Sequence, residues 1–308
     1  MTNQVQKMTI VPLYHCDPDL RVPARINPDT TAESVRGLLQ PQVFDLWRDY
    51  ISKRDRDDLA SMSVGLVHRF LSLEYVHSKL EADSSDLAYK AFLLLRLIKP
   101  TRSRFSRIQL ALKGGQPDVF SFTEPGPSIP NTPNLETFNR INDSDVLQLS
   151  NLLPRFLKFA NSAPWHLTRA VRFFEAGYSQ ISDPLLQFMA WTTAIESFFS
   201  EDKAPLSQEE LAGKIRGRID GATDIYSDVD VNVLAYPLKP VPLNSLLPDI
   251  FEARNCVVHG MRIPTSFDER GTTSPATGEK VHYVDVLREG ASFVLRKLLL
   301  KAIGEINA

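Results

Sequence analysis

The sequence has few cysteines and no long apolar run. Its only two cysteines, Cys16 and Cys256, lie in opposite halves of the chain, which argues against a disulfide scaffold and favours a reducing compartment. Nowhere do about eighteen apolar residues follow one another, as a transmembrane helix requires. The first residues lead into no apolar segment of signal-peptide length. We therefore expect a cytoplasmic protein without a membrane partner.

The sequence also lacks an excess of charge of either sign. Its 35 Lys and Arg residues nearly balance 37 Asp and Glu residues, so no global field attracts nucleic acid or an anionic membrane. Any contact with nucleic acid must be local. A glycine-rich phosphate loop, a nucleophile elbow, a dinucleotide fingerprint and ligand residues at metal-binding spacing are absent as well. We expect neither a cofactor nor a metal.

Proline is concentrated in one internal segment, residues 123–133, which contains four prolines and a glycine with little to bury. Such a composition is typical of a linker between domains. A chain of 308 residues also fits two domains of ordinary size. We therefore expect an N-terminal recognition or sensing domain at 1–135, ending in this linker, and a helical domain at 136–308.

The N-terminal domain is predicted to be mixed but mostly helical. Prolines and aspartates in residues 1–34 favour an extended arm. Apolar residues recur at helical spacing in three stretches, 41–53, 57–80 and 85–98. Short strands are predicted at 105–112 and 119–122, and Gly114-Gly115 between them suggests a β-hairpin.

The C-terminal domain is predicted to be a helical bundle, so the protein as a whole is mainly α. Candidate helices lie at 144–160, 164–180, 183–200, 207–219, 244–259 and 279–304. Asp183 and Pro184 offer a cap and a first-turn proline for the third of these helices. Gly260 is well placed to end the fifth.

The most informative stretch is residues 254–260, RNCVVHG. Arg254, Asn255 and His259 lie within six residues where a helix is expected to end. A guanidinium can hold a phosphate, an imidazole can carry a proton near neutral pH, and an amide can orient either one. These side chains have the chemistry needed to act on a phosphodiester.

About sixty residues upstream, the apolar helix at 185–199 carries one acid, Glu196. A W-x-x-A-I-E-x-F-F helix followed by an F-x-A-R-N-x-x-x-H-G helix resembles the HEPN superfamily, most closely its abortive-infection-like branch. The resemblance covers the C-terminal half only. It implies an all-helical domain, metal-independent endoribonuclease activity and a role in bacterial anti-phage defence or stress. It also places the family's arginine, polar residue and histidine on Arg254, Asn255 and His259.

The proposed chemistry needs no metal, because the RNA 2′-hydroxyl is itself the nucleophile. His259 is expected to act as general base or acid, Arg254 to stabilise the phosphorane charge, and Asn255 to hold the substrate or the histidine. Alternatively, Arg254 merely pairs with Asp249, Glu252 or Glu196, and His259 only caps the helix. A non-catalytic HEPN module that binds a nucleotide or a partner protein is the competing function.

Helix geometry bears on the oligomeric state. Arg254 and His259 are five residues apart, so their directions on an ideal helix differ by about 140°. Either the last turn unwinds near Gly260, or a second copy supplies the missing group. The resemblance implies the second solution, a homodimer through the C-terminal domain in which paired motifs line one cleft.

Two further sets of residues have candidate roles. Glu196 lies in an otherwise apolar helix, either as the orienter of Arg254 or at a solvent edge. Residues 87–117 contain no acid and seven basic residues, the one local excess of positive charge that we identify. Within it Arg102, Arg104 and Arg107 are candidate RNA contacts, although a solvated connection explains the charges equally well. A phage-derived or regulatory ligand is the expected partner of the N-terminal domain.

Overall fold

The computed structural model shows a mainly helical chain that divides into two compact units. One unit comprises Met1–Gly126, Asn139–Leu157 and Ala308, and the other Pro127–Phe138 and Lys158–Asn307. The first unit therefore extends past the boundary expected at residue 135. The residues that the structure describes are 6–14, 25–26, 34–38, 67–75, 81–100, 107–113, 116–123, 141–179, 181, 183–200, 206–227, 241–269, 272–273 and 280–306.

The first unit contains a six-stranded sheet in which every pair of neighbours is antiparallel. The strand order is β2-β3-β4-β1-β5-β6. The strands are β1 (Gln6–Tyr14), β2 (Arg25–Ile26), β3 (Ser34–Leu38), β4 (Val67–Tyr75), β5 (Arg107–Lys113) and β6 (Gln116–Thr123). Where the structure describes the N-terminal segment it is extended, but β1 is an interior strand of the sheet rather than an arm. The pairing of β5 with β6 runs from Arg107 opposite Thr123 to Lys113 opposite Gln116.

The helix predicted at 57–80 is wrong where the structure describes it, because Val67–Tyr75 is strand β4. The sequence of this segment fits both periods, since Leu71, Leu73 and Tyr75 also alternate at the two-residue spacing of a strand. β4 has partners on both sides, β3 and β1. Two ladders of backbone hydrogen bonds therefore favour the extended form. The helix predicted at 41–53 and most of the linker at 123–133 lie outside the described residues.

Helix α1 (Glu81–Ile98) confirms the helix predicted at 85–98. Its second half is buried, including the charged residue Arg96, whose guanidinium lies 4.7 Å from the ring centroid of Phe92. Just beyond its end, the buried Lys99 amine lies 3.8 Å from the Asp145 carboxylate. Asp145 belongs to the first turn of α2 (Asp143–Ser162). This ion pair joins the two helical segments of the first unit.

The described part of the second unit consists of helices and a short strand pair. Beyond the end of α2 it contains α3 (Trp165–Ser179), α4 (Pro184–Phe198), α5 (Gln208–Arg216), α6 (Leu243–Val258), α7 (Thr265–Glu269), β7 (Thr272–Thr273), β8 (Lys280–Val281) and α8 (Tyr283–Gly304). The six helices predicted for the C-terminal half are confirmed to within a few residues. The long helix α8 packs against α3, α4, α6 and α7. None of the helices in the described part of the chain is long and apolar enough to cross a membrane.

Helices α3 and α4 form a hairpin around the buried Trp191. The indole N–H of Trp191 donates to the Phe174 carbonyl at 3.2 Å, and its ring lies 4.8 Å from that of Tyr178. A Cβ on Gly177 would collide with the indole, so glycine allows this close approach. As predicted, Asp183 caps α4 by accepting from the Leu186 N–H. The packing of this hairpin fixes the orientation of α4 and therefore the position of Glu196, the one acidic residue of that helix.

Candidate functional site

The candidate site lies where α6 approaches its end. Four residues of α6 are almost completely buried and determine how the helix lies: Leu246, Leu247, Ile250 and Phe251. Leu246 packs against Gly290 of α8, at a point where a Cβ would collide with it. Arg254 and Asn255 follow on the next turn of this anchored helix and are only partly buried. Their positions therefore depend on the packing of α6 against α8.

Glu196 of α4 pairs with Arg254 of α6. The Arg254 Nη2 atom donates to Glu196 Oε2 at 2.6 Å, and the two side chains are 23% and 34% exposed. The pair is thus partly screened from water but open on one side, so Glu196 is both bonded to Arg254 and partly exposed. A charge-assisted bond of this length orients the guanidinium. The Arg254 Nε atom is buried and has no hydrogen-bond partner among the residues that the structure describes.

The Arg254 Nη1 atom donates to Asn255 Oδ1 at 3.1 Å. This bond uses the amide oxygen and leaves the amide N–H groups of Asn255 without a partner among the described residues. Asn255 can therefore donate to an oxygen of a bound group. Arg254 keeps one N–H on each terminal nitrogen for the same purpose. Glu196, Arg254 and Asn255 form a single hydrogen-bonded set.

His259 lies immediately beyond the last helical residue of α6 and is exposed. Gly260 follows with φ of 64°, and the Met261 N–H reaches back to the Cys256 carbonyl at 2.7 Å. This is the Schellman arrangement, in which a left-handed residue ends a helix. The predicted role of Gly260 is confirmed. The last turn of α6 stays helical up to Val258, so the unwinding expected as one of the two solutions does not occur before the histidine.

The imidazole of His259 makes no hydrogen bond or ion pair with any residue that the structure describes. Only its backbone N–H takes part in the helix end, donating to the Asn255 carbonyl at 3.0 Å. The side chain therefore does not cap the helix, and it is not bonded to Arg254 within one chain. Two of the other proposed partners of Arg254 are also excluded, since Glu252 is not bonded to it and Asp249 accepts from the Tyr283 hydroxyl at 2.7 Å.

The predicted RNA contacts of the N-terminal half do not form one exposed surface. Arg102 and Arg104 lie outside the described residues, and Arg107 is the first residue of β5. Two other members of the same basic stretch, Arg96 and Lys99, are only 3% and 7% exposed. They cannot contribute to a surface that follows a phosphate backbone, so the stretch is not a continuous exposed track.

Sequence reasoning missed a second basic surface. Between Asp145 and Glu175 the chain contains no acidic residue. In this interval the first half of α3 carries two exposed arginines, Arg169 and Arg172, and the exposed Trp165. The absence of acidic residues from this interval was the sequence signal that could have identified this surface. The balanced total charge of the chain conceals such a local excess.

No group of three His, Cys, Asp or Glu side chains that could hold a metal ion is found among the residues that the structure describes. Comparisons of the chain with protein-family models, with curated proteins and with solved structures find no significant match. The function must therefore be argued from the site itself.

Proposed function

We propose that the C-terminal half is a metal-independent endoribonuclease of HEPN type. The observation that carries the proposal is the Glu196-Arg254-Asn255 set at the end of α6, with the exposed His259 one turn further on. A cation, a donating amide and an unbonded imidazole thus lie at one helix end. The resemblance of these residues to the HEPN motif supports the same function and suggests anti-phage defence or stress as its setting.

The pairing with Glu196 suits Arg254 to transition-state stabilisation. A guanidinium that is already oriented loses less conformational freedom when it binds a phosphoryl oxygen. Two of its five N–H groups are used, by Glu196 and Asn255. The remaining N–H groups on the two terminal nitrogens can meet the charge that develops on the phosphorane.

The reaction is a transesterification within the RNA strand. The 2′-oxygen forms a bond to the adjacent phosphorus, and the bond from phosphorus to the 5′-oxygen breaks. The proton of the 2′-hydroxyl goes to a general base, and a general acid supplies a proton to the departing 5′-oxygen. His259 serves one of these roles, and a water molecule serves the other. The products carry a 2′,3′-cyclic phosphate and a 5′-hydroxyl.

A second copy is part of the proposal because one chain does not bond His259 to Arg254. Two apolar residues flank the histidine at the surface, Val258 with 46% and Met261 with 53% of its area exposed. Burying both against their symmetry mates would stabilise an isologous dimer. Such a dimer brings two arginines and two histidines into one cleft.

The alternative is a non-catalytic module that holds a nucleotide or a partner protein. One observation favours it: the guanidinium and the amide form a bonded set that the imidazole does not join. Arg254 and Asn255 alone can bind a phosphate without cleaving it. The two functions differ in turnover, which a cleavage assay measures.

The deciding experiment incubates the purified protein with total RNA and with transfer RNA in EDTA. We expect cleavage that leaves 2′,3′-cyclic phosphate ends, a complete loss in His259→Ala and a near-complete loss in Arg254→Ala. His282→Ala is the matched control, because His282 is an exposed histidine at the start of α8. Strict dependence on added magnesium, or an undiminished His259→Ala protein, would rule out this mechanism.

A further inference from the structure

A ladder of aromatic and cationic side chains runs along the first half of α3. Trp165, Arg169 and Phe173 are spaced four residues apart, so they lie on one face of the helix. The Arg169 guanidinium carbon lies 5.4 Å from the Trp165 ring centroid and 5.6 Å from that of Phe173. Both distances are within the range of cation–π attraction. The three side chains therefore support one another as a preformed surface.

The ladder is accessible. Trp165 is 50% exposed, although tryptophan is usually well buried. Arg169 is also exposed. The ladder thus presents a flat π-surface and a guanidinium to whatever binds there.

The charge around the ladder is positive and uncompensated. Arg169 and Arg172 are exposed, and neither has a carboxylate within ion-pair distance among the described residues. Other arginines of the same unit are paired, as Arg218 is with Glu305 and Arg254 with Glu196. Exposed cations without an anion are complementary to a polyanion.

The ladder also lies at the level of the candidate site along the α3–α4 hairpin. Ser179 ends α3 and Pro184 begins α4, so the two packed helices run antiparallel. Trp191 of α4 is level with Phe174 of α3, to which it donates. Five residues further along α4 is Glu196, and five residues back along α3 is Arg169. The partner of Arg254 and the ladder are therefore at the same end of the hairpin.

We propose that this surface binds single-stranded RNA, with a base stacked on Trp165 and phosphates held by Arg169 and Arg172. The choice of RNA rests on the proposed ribonuclease function, whereas the preference for a single strand follows from the surface itself. An exposed aromatic face stacks on a splayed base, which a duplex does not offer. The ladder would hold the strand while a phosphate further along reaches Arg254.

The binding test uses a fluorescently labelled oligothymidylate of ten nucleotides, which the proposed chemistry cannot cleave because it has no 2′-hydroxyl. We expect Trp165→Ala to bind it more weakly by roughly 5- to 100-fold, the loss of one stacked base. Trp165→Phe keeps a stacking ring and should retain most of the affinity. A duplex of the same length should compete poorly. Circular dichroism checks that the exposed substitutions leave the helices intact.

The charge test measures how affinity varies with salt. The double variant Arg169→Gln and Arg172→Gln removes two phosphate contacts, so the slope of log K against log salt should become shallower by about 1.4. Arg218→Gln removes the same kind of charge from a residue that already has a partner, with Nη1 2.9 Å from Glu305. It should leave the slope unchanged.

Unchanged affinity and slope in the Trp165 and arginine variants would overturn the proposal, as would a failure of the native protein to bind any single strand. Tighter binding of the duplex would also overturn it. An error in the ribonuclease proposal alone would give a different result. RNA would not be cleaved, but oligothymidylate binding would still depend on Trp165.

Discussion

Among single residues, Glu196 does most to determine where the Arg254 guanidinium lies. Its carboxylate is partly exposed, 34% of the side chain, and ion pairs near the surface contribute only about 0–1 kcal/mol to stability. The pair therefore adds little to the free energy of unfolding. Its main consequence is geometric, because it holds the arginine in one orientation beside Asn255.

We predict that Glu196→Gln lowers the rate of RNA cleavage by roughly 10- to 100-fold, because the guanidinium is no longer held in place. The effect should fall on kcat more than on KM. The free energy of unfolding, from urea titration, should change by less than about 1 kcal/mol. Glu252→Gln removes an exposed carboxylate from α6 that does not bond to Arg254, and it should cleave normally. Equal losses in the two variants would contradict the positioning role.

A second residue-scale prediction concerns Glu175, which is partly buried on α3. Burial raises the pKa of its carboxyl from 4.5 to about 7. Between these two pH values the folded protein binds more protons at Glu175 than the unfolded chain does, so stability falls as the pH rises. The contribution is fully present below pH 4.5 and is lost as the pH passes 7.

Urea unfolding of the native protein and of Glu175→Gln at several pH values measures this effect. Glutamine stays neutral, so the native protein should lose stability relative to the variant as the pH rises from 4.5 to 7.5. Other titrating groups are common to both proteins and cancel in the difference. A difference that does not vary with pH would show that Glu175 titrates normally.

At the scale of elements, the contact between α6 and α8 places the candidate site. Gly290 of α8 allows Leu246 of α6 to approach so closely that any Cβ would collide with it, and Ile250 Cδ1 would lie 3.3 Å from the same Cβ. Both side chains are completely buried, so neither has free space to move into. The distance between α6 and α8, and with it the position of Arg254, depends on this glycine.

We predict that Gly290→Ala lowers the free energy of unfolding by about 1–3 kcal/mol through overpacking, and that it reduces cleavage by displacing α6. Gly213→Ala is the matched control in α5, since no atom lies within 4 Å of a Cβ there. This change should stabilise the protein by up to about 1 kcal/mol, because alanine is the better helix former. Thermal and urea unfolding compare the two. Stabilisation in both would mean that α6 and α8 adjust without cost.

For the whole molecule, we predict a homodimer whose two-fold axis passes close to Arg254 and His259. The apolar residues Val258 and Met261 should lie in its interface. Changing both to Asp should give a monomer and abolish cleavage, while Leu186→Asp, at an exposed leucine of α4, should leave the dimer intact. Light scattering at micromolar concentration reports the mass. A monomeric native protein that still cleaves RNA would contradict the dimer.

Mixing two inactive proteins provides an independent test of the shared cleft. A dimer of one Arg254→Ala chain and one His259→Ala chain retains a single arginine and a single histidine. If the two copies line one cleft, the mixture should recover part of the cleavage. Persistent inactivity of mixtures shown to exchange subunits would mean that each chain acts alone.

The sequence by itself determined the helices of the second unit, because their signals are local. Apolar residues at helical spacing, the Asp183 cap and the glycine after His259 each act within a few residues of the chain. It also identified Arg254 as the natural partner of Glu196, since an acid in an apolar helix needs a cation.

Only the tertiary structure decided the remaining features, because they depend on residues far apart in the chain. The segment Val67–Tyr75 became a strand because β1 and β3 flank it. Arg96 and Lys99 do not belong to the basic surface predicted for residues 87–117, because they are buried. The bond between Glu196 and Arg254 spans 58 residues, and its length and exposure follow from the packing of α4, α6 and α8. Local periodicity carries no information about such contacts.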